Sequence, residues 1–189
     1  DNLGQVVARY TIPAGETINV GWRVLPADQT DNYLEIWADP NAEGETSDGV
    51  LAVGLTTPDG ADGMAPLVIE PGHYIDVTRA THQKFASRIY RFEKPETRSR
   101  QLTGYLMALG PAAPRGDSIA AVPSGLWMVH LQNTSDMDIV VHLSVQTDQS
   151  VHPVAQLSGR SYMAAPEYRR FDDAGRRMRR VKWVSPVWQ

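Results

Sequence analysis

The chain has 189 residues, no cysteine and a formal net charge of −4. This length suits one domain, or one domain with an appendage, and it allows a hydrophobic core without disulfides. The absence of cysteine excludes disulfide frameworks and thiolate metal sites, and no apolar run approaches the roughly 18 residues that a membrane helix needs.

The predicted elements are short strands, because 15 glycines and 13 prolines are scattered along the chain and favour turns over long helices. In chain order the strand candidates are residues 5–12, 17–25, 33–37, 50–56, 67–69, 74–78, 84–93, 97–109, 126–131 and 137–145. The second candidate alternates most cleanly and places Ile18, Val20, Trp22 and Val24 on a side that faces the core. About ten strands without a helical period predict an all-β fold, a β-sandwich or jelly roll.

The third strand candidate carries the aromatic residues with the strongest claim to a ligand surface. Tyr33, Glu35 and Trp37 share one face of it, while Leu34 and Ile36 share the other and more apolar face. An exposed tryptophan is a suitable stacking platform for a sugar ring, and Trp37 is a better candidate for this role than Trp22 or Trp127. Tyr33 and Trp37 are therefore predicted to belong to a ligand or partner surface.

Two loops rich in acidic residues and glycine, 39–49 and 57–63, are candidates for calcium binding. Calcium takes six to eight oxygen ligands and favours carboxylates spaced along a flexible loop. The candidate ligands are Asp39, Glu43, Asp48, Asp59 and Asp62. The competing interpretation is turn chemistry, because Asp and Gly are also favoured in turns and no EF-hand spacing is present. No other cofactor is predicted.

The stretch 124–148 predicts a β-hairpin, because two apolar runs are separated by a polar turn at 133–136. If the two strands pair closely, His130 and His142 could be neighbours and form a metal site or a pH switch. The alternative is that both are ordinary half-exposed strand histidines. Asn133-Thr134-Ser135 matches the N-glycosylation pattern, but so short a match often arises by accident, and a hairpin turn is the favoured explanation.

The character of the sequence changes after residue 148, and we interpret 1–150 as the sandwich and 151–189 as a connector that docks on it or on a neighbouring domain. Helix formers and charges fill 164–180, although Pro166 and Gly175 limit any helix to a few turns. Between 167 and 182 seven Arg or Lys stand against three acidic residues, so this stretch carries +4 and the remainder −8.

The basic residues of the connector are predicted to contact an acidic partner domain or solvent. The candidates for a partner surface are Arg169, Arg170, Arg176 and Arg177. They are interleaved with acidic residues and lack the aromatic platforms of proteins that bind single-stranded nucleic acid. The acidic body of the chain also argues against a nucleic-acid partner.

The segment 159–166 resembles the nucleophile signature of subtilisin-like proteases, in which a serine opens a buried helix. Here Tyr162 is inserted after Ser161, and residues 167–170 are too charged for such a helix. A serine nucleophile also needs a base and an orienting acid, and the Asp and His motifs of that family are absent. We therefore predict no catalytic residue in this stretch.

Three further stretches resemble P-domain-like jelly rolls that accompany subtilisin-like serine proteases. Residues 55–60 resemble a Leu-x-Ser-Pro-x-Gly turn, with Thr57 at the serine position, and 125–133 resemble a Gly-x-Trp strand. The opening region, from 10–15 to 33–37, is similar to the accessory sandwich of some large bacterial subtilases. The resemblance implies a noncatalytic module whose partner is the catalytic domain of the same precursor. The precursor would be a bacterial serine endopeptidase with a secreted or periplasmic location.

Other functions are open at this stage. The chain does not begin with Met and has no charged-then-apolar leader, which agrees with a piece of a longer precursor. A stand-alone sandwich that binds carbohydrate or calcium is the first alternative. A jelly-roll assembly protein is the second, with Trp183, Val184, Val187 and Trp188 as apolar contacts to neighbouring copies.

Overall fold

The computed structural model describes residues 5–40, 50–61, 63–78, 85–92, 102–113, 121–146 and 161–164. Within these ranges the chain forms eleven strands and no helix. The strands are β1 (Gln5–Ile12), β2 (Thr17–Val24), β3 (Asn32–Pro40), β4 (Leu51–Thr56), β5 (Gly63–Leu67), β6 (Tyr74–Thr78), β7 (Phe85–Arg91), β8 (Thr103–Leu109), β9 (Gly125–Asn133), β10 (Ile139–Gln146) and β11 (Tyr162–Ala164).

The strands build two antiparallel sheets, which confirms the predicted all-β sandwich. The six-stranded sheet has the order β1-β10-β3-β8-β7-β6, and the five-stranded sheet has the order β11-β2-β9-β4-β5. The chain moves repeatedly from one sheet to the other, so that most neighbouring strands are distant in sequence. None of the described segments is a helix that is long and apolar enough to cross a membrane.

The core consists of the apolar residues on the inner faces of both sheets. Val20, Trp22 and Val24 of β2 are buried, as their alternation predicts, and Trp22 and Trp127 are 0% exposed. Tyr105 lies on the inner face of β8, and its hydroxyl donates a hydrogen bond to the carbonyl oxygen of Leu51 in the other sheet at 2.7 Å. Burial raises the pKa of Tyr105, so the hydroxyl keeps the proton that joins the two sheets.

The predicted hairpin of β9 and β10 is wrong. β9 pairs with β2 and β4, whereas β10 pairs with β1 and β3, so the two strands belong to different sheets. The connection between them is an arch that passes from one sheet to the other. A hairpin and an arch have the same sequence pattern of strand, turn and strand. Here β9 and β10 do not pair with each other, and each has two other strands as its partners.

Asn133 holds this arch together. The residue is 0% exposed, and its Nδ2 donates to the carbonyl oxygens of Ile12 at 3.0 Å and Met137 at 2.6 Å. Its Oδ1 accepts from the backbone N–H and the hydroxyl of Ser135 at 3.0 and 2.7 Å. An amide that is buried and bonded in this way is not accessible for glycosylation in the folded chain, and the turn that Asn133 shapes belongs to the arch rather than to the predicted hairpin.

One short piece of the predicted connector belongs to the sandwich. β11 pairs with β2, with Met163 opposite Trp22, and it forms an edge of the five-stranded sheet. The helical turns predicted for 164–180 lie almost entirely outside the described residues. The boundary near residue 150 stays a prediction.

Candidate functional site

The outer face of the six-stranded sheet is where the long aromatic and charged side chains meet. Alternation places Leu34 and Ile36 of β3 in the core, and it leaves Tyr33, Glu35 and Trp37 half-buried on the opposite side. The two faces predicted for this strand are therefore observed. The cross-strand register then determines which residues of the neighbouring strands lie beside them.

Three rows of residues run across this face from β6 or β7 to β10. The first contains Phe92, Gly104, Trp37 and His142, and the second contains Tyr74, Tyr90, Leu106, Glu35 and Ser144. The third contains Asp76, Arg88, Ala108, Tyr33 and Gln146. Because residues in one row are direct or near neighbours, their side chains can contact each other across the strands.

The Trp37 ring lies flat against its neighbours rather than standing free in solvent. It stacks on Phe92 with ring centroids 5.2 Å apart and planes 15° from parallel. The two rings meet above Gly104, where an added Cβ would lie 2.5 Å from the Trp37 ring and 2.7 Å from the Phe92 ring. Glycine is favoured at 104 because a larger residue would have to displace one of these rings.

A second cluster occupies the β6 side of the same face. Arg88 donates from Nε and Nη2 to the two carboxylate oxygens of Asp76 at 2.5 and 2.9 Å, and from Nη1 to the hydroxyl of Tyr90 at 3.2 Å. Its guanidinium also lies 4.1 Å from the ring centroid of Tyr74, which is 52% exposed. Hydrogen bonding to Asp76 raises the pKa of Arg88, so the side chain stays charged and fixed in orientation.

Strand β8 contributes Leu106 and Ala108 to the outer face beside these clusters, and both residues are half-buried. Leu106 lies opposite Glu35 of β3 and Tyr90 of β7, and Ala108 lies opposite Tyr33 of β3 and Arg88 of β7.

The outer face of the five-stranded sheet carries a hydrogen-bonded polar cluster centred on His130. Its Nδ1 is 2.6 Å from Asn19 Oδ1, and its Nε2 is 2.7 Å from Thr56 Oγ1. Because an amide oxygen only accepts, Nδ1 donates, and the threonine hydroxyl donates to Nε2 of the neutral ring. Burial lowers the pKa of His130. His142 lies on the other sheet, so the predicted pairing of the two histidines is wrong.

Two of the calcium candidates, Asp39 and Asp59, fall in the described ranges. Asp59 stabilises its own turn, because its Oδ1 accepts from Thr57 Oγ1 at 2.6 Å and from the N–H of Ala61 at 3.2 Å. Asp39 lies near the end of β3. Glu43, Asp48 and Asp62, like Arg169, Arg170, Arg176 and Arg177, lie outside the described residues. Among the residues that are described, no three His, Cys, Asp or Glu side chains form a group that could hold a metal ion.

Ser161 has none of the surroundings of a catalytic serine in the described part of the chain. It directly precedes β11, an extended edge strand, rather than opening a helix. Its hydroxyl is buried and makes no hydrogen bond to the residues described, so no base contacts it there. The resemblance of 159–166 to a nucleophile signature is therefore not matched by the local geometry.

Comparison with known proteins gives a structural likeness and no relative in sequence. No protein-family model and no curated protein match the chain. The fold resembles part of a protease. The structure of the Clostridium perfringens CspB protease superposes with a TM-score of 0.51 at 9% sequence identity. The match covers 85% of this chain and 27% of that chain. At this identity the likeness shows a shared fold, and the chain spans about a quarter of the length of the CspB protease.

Sequence reasoning identified the three residues that β3 contributes to the outer face, Tyr33, Glu35 and Trp37, and did not identify those from β7 and β8. The strand that contains Arg88, Tyr90 and Phe92 alternates, but neither of its faces is clearly apolar in the sequence, so its outer side could not be chosen. Nor did the sequence indicate that Gly104 would lie beneath two aromatic rings. Both features depend on the order of strands in the sheet.

Proposed function

We propose that this chain is a noncatalytic accessory β-sandwich of a subtilisin-like serine protease. The observation that carries the proposal is the likeness of 85% of the chain to 27% of the CspB protease. A match that covers most of the shorter chain and about a quarter of the longer one is expected when the shorter chain corresponds to one module of a larger protease. The resemblance of residues 55–60 and 125–133 to accessory jelly rolls supports the same family.

In this proposal, peptide-bond hydrolysis belongs to a catalytic domain of the same polypeptide. The sandwich would stabilise that domain, shape access to its cleft or bind a partner. The surroundings of Ser161 agree with this division of labour, because an extended edge strand does not present a hydroxyl as a helix N-terminus does. The basic residues 167–182 would form the connection towards the catalytic domain.

The test uses the natural full-length polypeptide. A fluorophosphonate probe, which labels activated serines, should label it, and casein hydrolysis should accompany the labelling. A Ser161→Ala variant should retain both, because the nucleophile is expected outside this stretch. Loss of labelling in a folded Ser161→Ala variant would place catalysis inside the sandwich and refute the proposal. Absence of labelling in the unaltered polypeptide would remove the protease assignment altogether.

The calcium and assembly functions remain predictions. The calcium loops lie partly outside the described residues, and the apolar residues 183–188 lie wholly outside them. Neither function is favoured by a contact or a distance among the residues that the structure describes.

A further inference from the structure

Among the described strands, four lie at the edges of the two sheets: β1 and β6 in one sheet, and β5 and β11 in the other. An edge strand has one row of main-chain N–H and C=O groups without a strand partner, so it can accept an extended segment of another chain. Proteins block most such edges with short strands, bulges, proline or charge. The edges of this sandwich differ in how far they carry these features.

Three of the four edges have features that discourage strand addition. β11 has only three residues. β5 has five residues, contains Pro66 and pairs with β4 through an irregular register. β6 also has five residues, and its register with β7 shifts between Val77 and Thr78. None of these strands provides a long and regular row of main-chain groups.

β1 differs from the other edge strands in each of these respects. Its eight residues pair one by one with β10, from Gln5 opposite Gln146 to Ile12 opposite Ile139, without a shift in register. It contains neither proline nor glycine. Val7 is 51% exposed, so an apolar side chain lies in solvent at this edge. The side of β1 that faces away from β10, which we call the β1 edge, is therefore the one best suited to strand addition.

The charge beside the β1 edge indicates which kind of segment fits it. Alternation places Val7 and Arg9 on the outer face of the sheet, opposite Ser144 and His142 of β10. Arg9 is exposed, and its guanidinium makes no hydrogen bond or ion pair with the residues that the structure describes. An arginine in this state favours an acidic residue directly opposite it on an added strand. We infer that the β1 edge binds an extended acidic segment of another polypeptide.

A second copy of this chain fits the β1 edge less well. The eight residues of β1 include no Asp or Glu, so a β1 strand from another copy has no carboxylate for Arg9. It also brings a second Arg9 to the same face, and like charges on neighbouring strands repel. The arginine thus opposes self-pairing and favours an acidic partner.

Strand addition determines what the partner needs. Main-chain hydrogen bonds supply the affinity, and the side chains beside them supply the specificity. The residue opposite Val7 should be β-branched and apolar, and the residue opposite Arg9 should be Glu or Asp. Since the partner has to be extended, an acidic segment without helical structure is the class that fits.

The test uses two acetylated and amidated peptides that differ at one position. The first is Ser-Thr-Thr-Val-Glu-Val-Val-Thr-Ser, and the second has Lys in place of Glu. In antiparallel addition the central residue lies opposite Arg9, and the last valine lies opposite Val7. Titration of the full chain, followed by NMR, should show that the Glu peptide binds about fivefold more tightly than the Lys peptide.

Amide hydrogen exchange locates the bound peptide. In an antiparallel ladder, every second N–H of an edge strand points away from its partner. These alternate amides of β1 should exchange quickly in the free chain, and their exchange should slow at least about tenfold with the Glu peptide bound. Protection in another strand without protection in β1 would refute the inference. Protection of the alternate amides in the free monomer would refute it too, because the edge would already be covered.

Arg9→Glu should invert the preference, so that the Lys peptide binds about fivefold more tightly than the Glu peptide. The matched control is Arg23→Glu, which makes the same charge change at a half-buried residue on the outer face of the five-stranded sheet. It should leave the preference for Glu unchanged. Near-ultraviolet circular dichroism confirms that each variant is folded. If either variant does not fold, Arg9→Gln should abolish the preference and Arg23→Gln should retain it.

The inference is wrong if neither peptide binds at millimolar concentration, if Arg9→Glu keeps the preference for Glu, or if Arg23→Glu inverts that preference as well. Sedimentation equilibrium of the free chain tests the other occupant. A dimer in which the alternate β1 amides are protected would assign the edge to a second copy and overturn the inference. The titration does not require a protease, so it can succeed or fail independently of the proposed function.

Discussion

The two outer faces of the sandwich are built on the same alternation of residues and yet differ in what they present. On the six-stranded sheet, long side chains contact one another across the strands, and Gly104 lies beneath the rings of Trp37 and Phe92. On the five-stranded sheet, the backbone of β5 itself lies against Gly54, whose added Cβ would be 2.6 Å from the carbonyl oxygen of Met64. At Gly104 the close neighbours are side chains, and at Gly54 they are main-chain atoms.

This contrast shows that a glycine inside a strand can allow two different kinds of close contact. Both glycines allow a close approach, but the approaching group is a pair of side-chain rings in one case and a neighbouring strand in the other. A ring can turn about its side-chain torsions, whereas a backbone that is held in a sheet cannot move without breaking its hydrogen bonds. The two sites should therefore respond differently to the same substitution.

The largest effect is expected for Gly54→Ala. The new methyl group would lie 2.6 Å from Met64 O and 2.8 Å from the nitrogen of Pro66, and neither atom can rotate away. We expect the free energy of unfolding to fall by about 3 kcal/mol, the upper end of the usual range for overpacking. Urea denaturation measures it. A cost smaller than that of Gly104→Ala would contradict the distinction between the two faces.

A smaller loss, about 1 to 2 kcal/mol, is expected for Gly104→Ala, because the Trp37 and Phe92 rings can shift to make room. The double variant Trp37→Ala/Gly104→Ala tests the cause. If the ring and the methyl group collide, the double variant should be more stable than the sum of the two single losses predicts, by about 0.5 kcal/mol or more. Strictly additive losses would mean that the stack does not press on residue 104.

The smallest expected effect is on the pH dependence of stability. It distinguishes His130 on one outer face from His142 on the other. Burial lowers the pKa of His130 below its ordinary value of 6.5, so the unfolded chain binds the proton more readily than the folded one. The stability that depends on the neutral ring should be complete above pH 6.5 and should decrease as the pH falls below that value. Thermal unfolding between about pH 8 and about pH 5 measures this dependence.

His130→Gln should flatten this part of the pH profile, because no proton is then taken up at that position. The matched variant is His142→Gln, which keeps His130 and should retain the decrease. An unchanged profile in His130→Gln would show that another group accounts for the pH dependence. The pair of variants thus assigns the effect to one outer face of the sandwich.

The sequence could predict several strands and the face that each of them buries. It could not predict how the strands pair, and the reason is physical. The alternation of β2 correctly placed Val20, Trp22 and Val24 in the core, because burial of one face produces a period of two that is visible locally. The hairpin prediction failed at 133–136, where the same local pattern led to an arch. Asn133 bonds there to Ile12 O, a contact 121 positions away in the chain.

The sequence by itself determined that the chain is an all-β sandwich of short strands, since turn residues and alternating burial are local properties of the polypeptide. It also determined which face of β3 carries Tyr33 and Trp37. Only the tertiary structure decided which sheet each strand joins, because pairing depends on how distant apolar faces cover each other. The outer face of the six-stranded sheet follows from that decision, because its rows of residues come from strands that are separated in sequence and no local pattern brings them together.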